Sequence, residues 1–389
     1  MTVVDDRPLH GITDEFVARL AERAEVAERL RRLPTATVSE FRQTNLFRLL
    51  LPARFGGLQA PFPELLQPVR RMAHGCASSA WTLGFYALHN WMLALFDPQA
   101  QEEVFASGPV LAPAPLAPTG RGVPAGGGVR LTGKWSWATG AMNADWVIVG
   151  ALIERPDGID PVLAVLPADE VGVADTWQTA GMRGTGSHDV IVTDAFVPEH
   201  RMVAVADIYA GTAPGARAHG VPTYRWPMVP ALALVAAMPV LGAAERVTDL
   251  FADRLGGRVL AYSGVAQKDQ PAAQIRLGDA RVRLRALRAL IAETADGIER
   301  LVADGERVSR SVRADARLAA AHTVQESRAI INDLLGASGA SAQFLSNPMQ
   351  RFQRDVNVAA GHVVFDYDTG RELAGALAIG AKISPIAMI

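Results

Sequence analysis

The feature that most constrains the fold of this chain is a change in its local pattern just after residue 108. Residues 11–110 read mainly as helices, among them a long and nearly uncharged one over 78–96. Residues 109–130 then contain five prolines and five glycines, which is too broken for a helix and typical of loops that enter a β-domain. Short apolar strands follow, and helical periodicity returns from Val229 onward.

This order predicts an α+β multidomain fold, and 389 residues are enough for two or three domains with a large core. The predicted parts are an N-terminal α-helical domain over 1–108, a central β-barrel-like domain over 109–222 and a C-terminal α-helical bundle over 223–389. We expect the first helix to be capped by Asp14 and to run to Arg32, and 210–222 to form a loop. Further helices are expected over 65–72, 97–105, 278–303 and 309–335.

Composition and charge narrow the range of partners. A net charge of −2, with acidic and basic residues mixed along the chain, favours neither a nucleic-acid partner nor a membrane surface. The single cysteine, Cys76, excludes an internal disulfide and reads as a buried thiol. The uncharged run between Arg225 and Glu245 approaches membrane-spanning length, but prolines interrupt it, so we predict a buried core helix. Because the N-terminus has no apolar signal segment, we expect a cytoplasmic protein.

Residues 176–201 combine dense turn signals with a β-rich run. The segment GMRGTGS at 181–187 has three glycines, which allow backbone conformations barred to other residues. A roughly alternating strand follows and ends at Pro198. The segment is either a tight turn of a β-domain or a loop whose amides and hydroxyls, from Arg183 to Ser187, line a cofactor or phosphate. It is not a P-loop, because no Gly-Lys-Ser/Thr follows.

Four stretches, in this order, resemble the acyl-CoA dehydrogenase family: TGKWSWATGAMNADW at 132–146, GMRGTGSHDVIVTDAFVP at 181–198, GASGASAQF at 336–344 and RFQRDVNVAAGH at 351–362. The resemblance covers nearly the whole chain. It implies that family's three-part fold, with a four-helix bundle as the last domain, and a homotetramer with paired C-terminal bundles. Trp81, the His89-Asn90-Trp91 stretch and His362 resemble a flavin-dependent monooxygenase branch of the family. This branch includes the oxygenase components of two-component p-hydroxyphenylacetate and secosteroid-phenol hydroxylases.

The resemblance to this branch implies a reduced flavin, FMNH2 or FADH2, delivered by a separate NAD(P)H-dependent flavin reductase. O2 would be the co-substrate, an aromatic or related hydrophobic small molecule the substrate, and a flavin C4a-hydroperoxide the oxygen donor. The sequence has no Gly-x-Gly-x-x-Gly after a strand, which agrees with a separate reductase. The eight histidines form no HxH or HExxH motif, so no metal site is predicted.

Trp137 and Thr139 lie in the first of the matching stretches. Their residue types alone fit a core aromatic and a turn hydroxyl. The resemblance implies instead that Trp137 packs against the isoalloxazine and that Thr139 binds flavin N5. A hydroxyl that accepts the N5–H would hold that proton in place and so slow the loss of peroxide.

Trp81 and His89 are eight residues apart on the predicted helix, so they share a broad face. Alone, a histidine in an apolar helix is usually a core residue whose polar atoms are satisfied. The resemblance implies that His89 binds a substrate hydroxyl and acts as a base, with Trp81 as a stacking surface. It also implies that His362 reaches the flavin–substrate pocket from the C-terminal bundle. Which histidine is the base stays open.

Three further cofactor-binding residues follow from the resemblance. Arg225 matches an arginine near the flavin, and the segment from Gly336 to Ser338 matches one that approaches flavin phosphate or ribose. A glycine-rich helix break is the alternative for that segment. Arg354 and Asp355 most simply form an ion pair at a helix end.

Two departures from the family's patterns bear on the activity. Acyl-CoA dehydrogenases use a glutamate base, commonly in a Glu-Gly pair, whereas this chain has Asp368 before Thr369-Gly370. A dehydrogenase or oxidase that keeps its FAD is therefore the less favoured alternative, and a catalytically silent paralogue is another. The loop APAPLAPTG at 112–120 lacks the serine with which some phenol hydroxylases hold their substrate, so the substrate binds differently or is larger and more apolar.

Overall fold

The computed structural model describes residues 9–156, 158–259, 264–384 and 387–389, so the first eight residues considered for a signal segment lie outside it. The N-terminal helices are α1 (Asp14–Glu22), α2 (Ala24–Leu30), α3 (Thr35–Phe41), α4 (Leu66–Met72), α5 (Ala77–Leu93) and α6 (Pro98–Val104). The strands are β1 (Gly120–Ala125), β2 (Gly128–Ala138), β3 (Trp146–Arg155), β4 (Gly158–Pro167), β5 (Gly172–Ala174), β6 (His188–Pro198) and β7 (Met202–Ala204). The remaining helices are α7 (Val205–Ala210), α8 (Pro214–His219), α9 (Met228–Gly257), α10 (Pro271–Ala303), α11 (Arg310–Ala337), α12 (Pro348–Ala359) and α13 (Tyr367–Ala378). The predicted fold class, with helices before and after a sheet, is confirmed.

The first helices differ from the prediction in their ends. Thr13, not Asp14, caps α1, because its hydroxyl accepts a hydrogen bond from the Phe16 amide at 3.2 Å. The predicted single helix is interrupted at Arg23, and α2 ends at Arg31 in the left-handed conformation. The region expected as a loop over 210–222 contains the short helix α8.

Helix α5 is the centre of the N-terminal part. All of its residues are buried, which accounts for its lack of charge. The Asn90 side chain pairs with both backbone groups of Val110, donating to its carbonyl and accepting from its amide at 3.0 Å each. This pairing holds the segment that leads into the sheet against α5 at Val110.

The seven strands form one sheet with the order β5-β6-β2-β1-β3-β4-β7. Its pairs are antiparallel except for β1 and β3. Strand β2 continues through Gly133, where a turn was expected, and has irregular register with β6 near Gly133 and again between Trp135 and Ala138. The second irregularity lies immediately before Thr139, where β2 ends.

Helix α9 is long and apolar enough to cross a membrane, yet nearly all of its most apolar stretch is buried inside the protein, as predicted for a core helix. It packs against α4, α5, α10 and α11. Its buried Glu245 accepts hydrogen bonds from Arg70 at 2.6 Å and Arg288 at 3.0 Å and pairs with His74 at 2.9 Å. These contacts join the N-terminal helices to the C-terminal bundle.

Candidate active site

An aromatic stripe along α5 forms one wall of the candidate site. Trp81, Phe85 and His89 follow one another at four-residue spacing, with ring centroids 5.1 Å and 5.3 Å apart. The C-terminal part adds His362 and Phe365, whose ring centroids lie 5.8 Å and 6.5 Å from that of Trp81. We call these five side chains the aromatic recess. It contains the three residues that the sequence singled out, Trp81, His89 and His362. Phe85, which was not predicted, packs between Trp81 and His89.

The tautomer of His89 follows from its neighbour in the loop that enters the sheet. Its Nδ1 lies 2.5 Å from the carbonyl oxygen of Ala112, which can only accept, so Nδ1–H is the donor. Burial lowers the pKa of His89 to about 4, since the charged ring would be desolvated, although the Ala112 carbonyl favours the charged form. The ring is therefore neutral at pH 7, and its Nε2 is left as a hydrogen-bond acceptor.

His362 has the opposite arrangement. Its Nδ1 accepts a hydrogen bond from the Val364 amide at 3.2 Å, so in the neutral ring the proton is on Nε2. Surrounding protein atoms lower the pKa of His362 to about 4 by desolvation, whereas the residue as a whole remains exposed. A pKa lowered from its ordinary value of about 6.5 keeps the ring neutral at pH 7. His362 thus offers a donor where His89 offers an acceptor.

The loop after β2 carries the two residues predicted to meet the flavin. Trp137 has a left-handed backbone, with φ of 66°, and its side chain is 71% exposed. An exposed indole on a strained backbone fits stacking against a planar ligand. The Tyr86 hydroxyl, on α5, donates to the Gly140 carbonyl at 2.7 Å, and a Cβ at position 140 would lie 2.1 Å from that hydroxyl oxygen. Gly140 therefore allows the loop to rest directly on the helix that forms the aromatic recess.

Thr139 belongs to a chain of hydroxyls that the sequence did not predict. Its Oγ1 lies 2.9 Å from the Ser187 hydroxyl, which lies 2.8 Å from the Thr185 hydroxyl. The Thr185 hydroxyl donates to the Met182 carbonyl at 2.8 Å. The glycine-rich segment at 181–187 thus places two hydroxyls in a hydrogen-bonded chain with Thr139, and that this segment lines a cofactor stays a prediction.

Asp355 anchors this segment from the C-terminal bundle. It accepts a hydrogen bond from the Met182 amide at 2.5 Å and lies 3.4 Å from the Ser78 hydroxyl of α5. A Cβ at Gly181 would lie 2.1 Å from the Arg354 carbonyl oxygen, so only glycine allows this approach. Burial raises the pKa of Asp355 to about 6. The expected Arg354–Asp355 ion pair is wrong as an interpretation, because the Arg354 guanidinium pairs with Glu28 instead.

The other predicted cofactor residues, Arg225, Gly336 and Ser338, belong to the C-terminal helical part. The Arg225 guanidinium donates to the Val302 carbonyl at 3.3 Å, near the end of α10. Gly336 is in the last turn of α11, and the buried Ser338 hydroxyl donates to the Leu334 carbonyl at 2.7 Å. The Ser338 hydroxyl proton is therefore not available to a phosphate. The Ser338 carbonyl accepts hydrogen bonds from the guanidinium groups of Arg254 and Arg258.

Asp368 stands before Thr369-Gly370, where the sequence suggested a possible dehydrogenase base. Its side chain is 89% exposed in the first turn of α13, where it pairs with Arg371. A base that removes a proton from an acyl thioester must lie within a water-poor pocket against the flavin. The position of Asp368 therefore weighs against acyl-CoA dehydrogenation.

Comparison with known proteins agrees with this geometry. A family model described as acyl-CoA dehydrogenase, C-terminal domain, matches residues 234–367. The oxygenase subunit HsaA of a flavin-dependent monooxygenase from Rhodococcus jostii is 34% identical over 376 residues, which cover 95% of this chain and 98% of that protein. The chain belongs to the oxygenase components of flavin-dependent monooxygenases. The oxygenase component of an FADH(2)-dependent resorcinol hydroxylase from Rhizobium sp. is 30% identical over 385 residues, which cover 96% and 93% of the two chains.

Solved structures show the same relationship. The crystal structure of a 3-HSA hydroxylase from a Rhodococcus species superposes with a TM-score of 0.93 at 31% identity, covering 99% of this chain and 100% of that one. XiaF from Streptomyces sp., in complex with FADH2 and glycerol, superposes with a TM-score of 0.90 at 31% identity, covering 97% and 96%. The predicted family, monooxygenase activity and use of reduced flavin with O2 are confirmed. As the oxygenase component of a two-component system, this monooxygenase receives its flavin from a separate reductase.

Sequence reasoning missed three residues that contact and position the candidate site residues or their loops. Phe85, Asn90 and Asp355 had no role assigned beyond packing or an ion pair. Four-residue spacing between two aromatic candidates could have indicated Phe85. No local signal links Asp355 to Met182, because 173 positions separate them in the chain.

Proposed function

We propose that this monooxygenase hydroxylates a phenol-type aromatic small molecule whose hydroxyl donates to Nε2 of His89. The observation that carries the proposal is the 2.5 Å contact between His89 Nδ1 and the Ala112 carbonyl. It commits the only proton of the neutral imidazole to the backbone, so the other nitrogen can only accept. An acceptor beside Trp81 and Phe85 suits a flat ring that carries one hydroxyl. Withdrawing that proton raises the electron density of the substrate ring, which is what attack on an electrophilic oxygen requires.

We assign His362 the complementary role of a hydrogen-bond donor. Its Nε2–H can stabilise negative charge that develops on an oxygen atom during the transfer. A neutral histidine with this tautomer cannot serve as the base without first exchanging its proton. The proposal therefore resolves the choice between the two histidines in favour of His89.

Reduced flavin is proposed to lie between the loop after β2 and the recess, with its ring against Trp137 and its N5 at the Thr139 hydroxyl. When bound, the flavin activates O2 and supplies the oxygen atom. The exposed indole and the hydroxyl of Thr139 fit a planar ring with a polar edge. We favour FADH2 over FMNH2, because relatives of 30% and 31% identity are described with FADH2. The guanidinium groups of Arg254 and Arg258 near Ser338 offer cations for a second phosphate.

The proposed substrate is larger and more apolar than simple phenols. The recess has aromatic walls, and the 112–115 stretch that faces His89 contributes alanine and proline, without a side-chain hydroxyl. Fixation of the substrate would then depend on the single hydrogen bond to His89 and on stacking. A cytoplasmic location and a homotetramer complete the proposal, and neither an interaction with a membrane nor one with nucleic acid is part of it.

A comparison of histidine variants tests the assignment. His89→Asn should lower the rate of hydroxylation by about 10²–10⁴-fold while FADH2 still binds, because only the acceptor at the substrate is lost. His322→Asn is the matched control, since His322 contacts the Tyr367 hydroxyl on α11 and α13 and should leave turnover unchanged. Product from a panel of phenols and fused-ring phenols is measured after mixing protein, FADH2 and O2. If His89→Asn hydroxylates normally while His362→Asn does not, the roles of the two histidines are reversed.

A further inference from the structure

The hydroxyls of Thr139, Ser187 and Thr185 form a chain that ends on a backbone carbonyl. Three short oxygen–oxygen contacts make up this chain, at 2.9, 2.8 and 2.8 Å, the last to the Met182 carbonyl. Two oxygen atoms at such separations repel each other unless a proton lies between them. Each of the three contacts therefore needs one proton.

Counting the protons fixes the direction of every hydrogen bond. Three hydroxyls provide three protons, and the Met182 carbonyl provides none. Thr185 must donate to Met182, so Ser187 must donate to Thr185, and Thr139 must donate to Ser187. With its only proton committed, the Thr139 oxygen can accept a further hydrogen bond but cannot give one.

The end of the chain is held firmly, so the direction does not reverse easily. The Met182 carbonyl also accepts from the Trp177 indole N–H at 2.9 Å, and the Met182 amide is bound by Asp355. Thr185 and Ser187 are buried, at 1% and 5% exposure, so water does not compete for their protons.

We propose that Ser187 and Thr185 are positioning residues that make this site discriminate reduced from oxidised flavin. The inference rests on the proposed function, in which Thr139 meets flavin N5. Reduced flavin has a proton on N5 and can donate to an oxygen that only accepts. Oxidised flavin has a bare N5 lone pair, which faces the Thr139 lone pairs without a proton between them. The reduced form is therefore favoured and the oxidised form is disfavoured by the same oxygen atom.

The proposal predicts different effects for changes at Thr139 and at Ser187. In Ser187→Ala the Thr139 proton loses its acceptor and becomes free to bind the N5 of oxidised flavin. The Kd for FAD should therefore fall, and the ratio of Kd for FAD to Kd for FADH2 should fall by about three- to tenfold, the effect of one neutral hydrogen bond. Thr185→Val should act in the same direction, since Ser187 can then turn its proton toward Thr139. In Thr139→Val the ratio should fall because the Kd for FADH2 rises.

The measurement is a titration of the apoprotein with FAD in air and with FADH2 under anaerobic conditions. Thr179→Val is the matched control, because the Thr179 hydroxyl donates to the Gly181 carbonyl at 2.7 Å in the same segment but outside the chain. It should leave the ratio unchanged. If Thr139→Val lowers the ratio while Ser187→Ala and Thr185→Val leave it at the wild-type value, the positioning role of Ser187 and Thr185 is wrong, but the proposed contact between Thr139 and flavin N5 stands. An equal effect of Thr179→Val also overturns that positioning role. If Thr139→Val changes neither Kd, the proposed contact between Thr139 and flavin N5 is itself wrong.

Discussion

Protonation of two histidines determines the chemistry available at the residue scale. His362 packs against Trp81 and His89 against Phe85, and backbone groups fix the tautomers of the two histidines in opposite directions. A hydrogen-bond acceptor and a hydrogen-bond donor are thus present together in the aromatic recess, none of whose five side chains is charged. We propose that the acceptor binds the substrate hydroxyl and that the donor stabilises a developing oxyanion. This division of roles depends on both rings remaining neutral.

The low pKa of His89 predicts an unusual pH dependence. Because burial lowers its folded pKa to about 4, below the usual value of about 6.5, the neutral ring persists in the native protein down to about pH 5. Hydroxylated product per O2 should therefore be constant between about pH 6 and 8 and decline only below about pH 5. Single-turnover product yields measured across this range check the prediction. A decline centred near pH 6.5 would show a histidine of ordinary pKa instead.

Removal of the Thr139 hydroxyl should separate oxygen consumption from product formation. Thr139→Ala removes a hydroxyl and a methyl group, so the recess should survive while N5 loses its acceptor. Loss of a hydrogen bond worth about 1–3 kcal/mol should speed the release of H2O2 by about one to two orders of magnitude. A peroxide assay alongside product analysis gives both quantities. Unchanged peroxide release would mean that Thr139 is only a turn hydroxyl.

At the scale of elements, three parts of the chain meet at Asp355. The carboxylate on α12 contacts the Met182 amide of the glycine-rich segment and the Ser78 hydroxyl of α5. Asp355 therefore links both helical parts to the segment that precedes β6. A shift of α12 would move Met182 and, through Thr185 and Ser187, the Thr139 hydroxyl.

Asp355 should also give the protein a stability that falls with rising pH. Its folded pKa of about 6 is above the ordinary value of about 3.9, so its contribution is fully present below about pH 4 and is lost as the pH rises through 6. The size of this loss is about 2–3 kcal/mol. Asp355→Asn cannot ionise, so between about pH 4 and 7 its free energy of unfolding should rise by about 2–3 kcal/mol relative to that of the wild type. His89 and His362, whose lowered pKa values act in the opposite direction, are common to both proteins and cancel in this difference. The exposed Asp368→Asn is the control and should show no such change relative to the wild type; a pH-independent difference for Asp355→Asn contradicts the prediction.

The elements also show how far sequence reasoning reaches. Helices with clear periodicity, such as α4 and α11, were predicted to within two residues, whereas α10 begins seven residues before the predicted start at 278. The break at Arg23 was missed, because apolar periodicity continues across it and only the backbone geometry ends the helix. The contacts of Ser187 and Asp355 could not be predicted, since each joins residues far apart in sequence, and a spacing rule carries no information about such pairs.

At the scale of the whole molecule, exposed apolar side chains support the proposed oligomer. Ile275 and Val282 on α10 are 70% and 62% exposed, and Phe344 and Leu345 after α11 are 66% and 81% exposed. We propose that the assembly covers these side chains, since exposed apolar groups that lie together mark an interface. We expect light scattering to give four times the chain mass of 41.4 kDa. Val282→Asp should lower that mass, whereas a mass near that of one chain for the wild type would contradict the oligomer.

As a monooxygenase, this chain should insert one atom of O2 into an aromatic ring by means of reduced flavin bound to its own residues. Mixing the anaerobic protein–FADH2 complex with ¹⁸O2 and a panel of phenols, followed by mass spectrometry of the products, tests it most directly. We predict a product that gains one oxygen atom labelled with ¹⁸O, formed in the wild type and strongly reduced in His89→Asn. Complete conversion of O2 to H2O2 with every phenol, or a product that loses hydrogen without gaining oxygen, would contradict it.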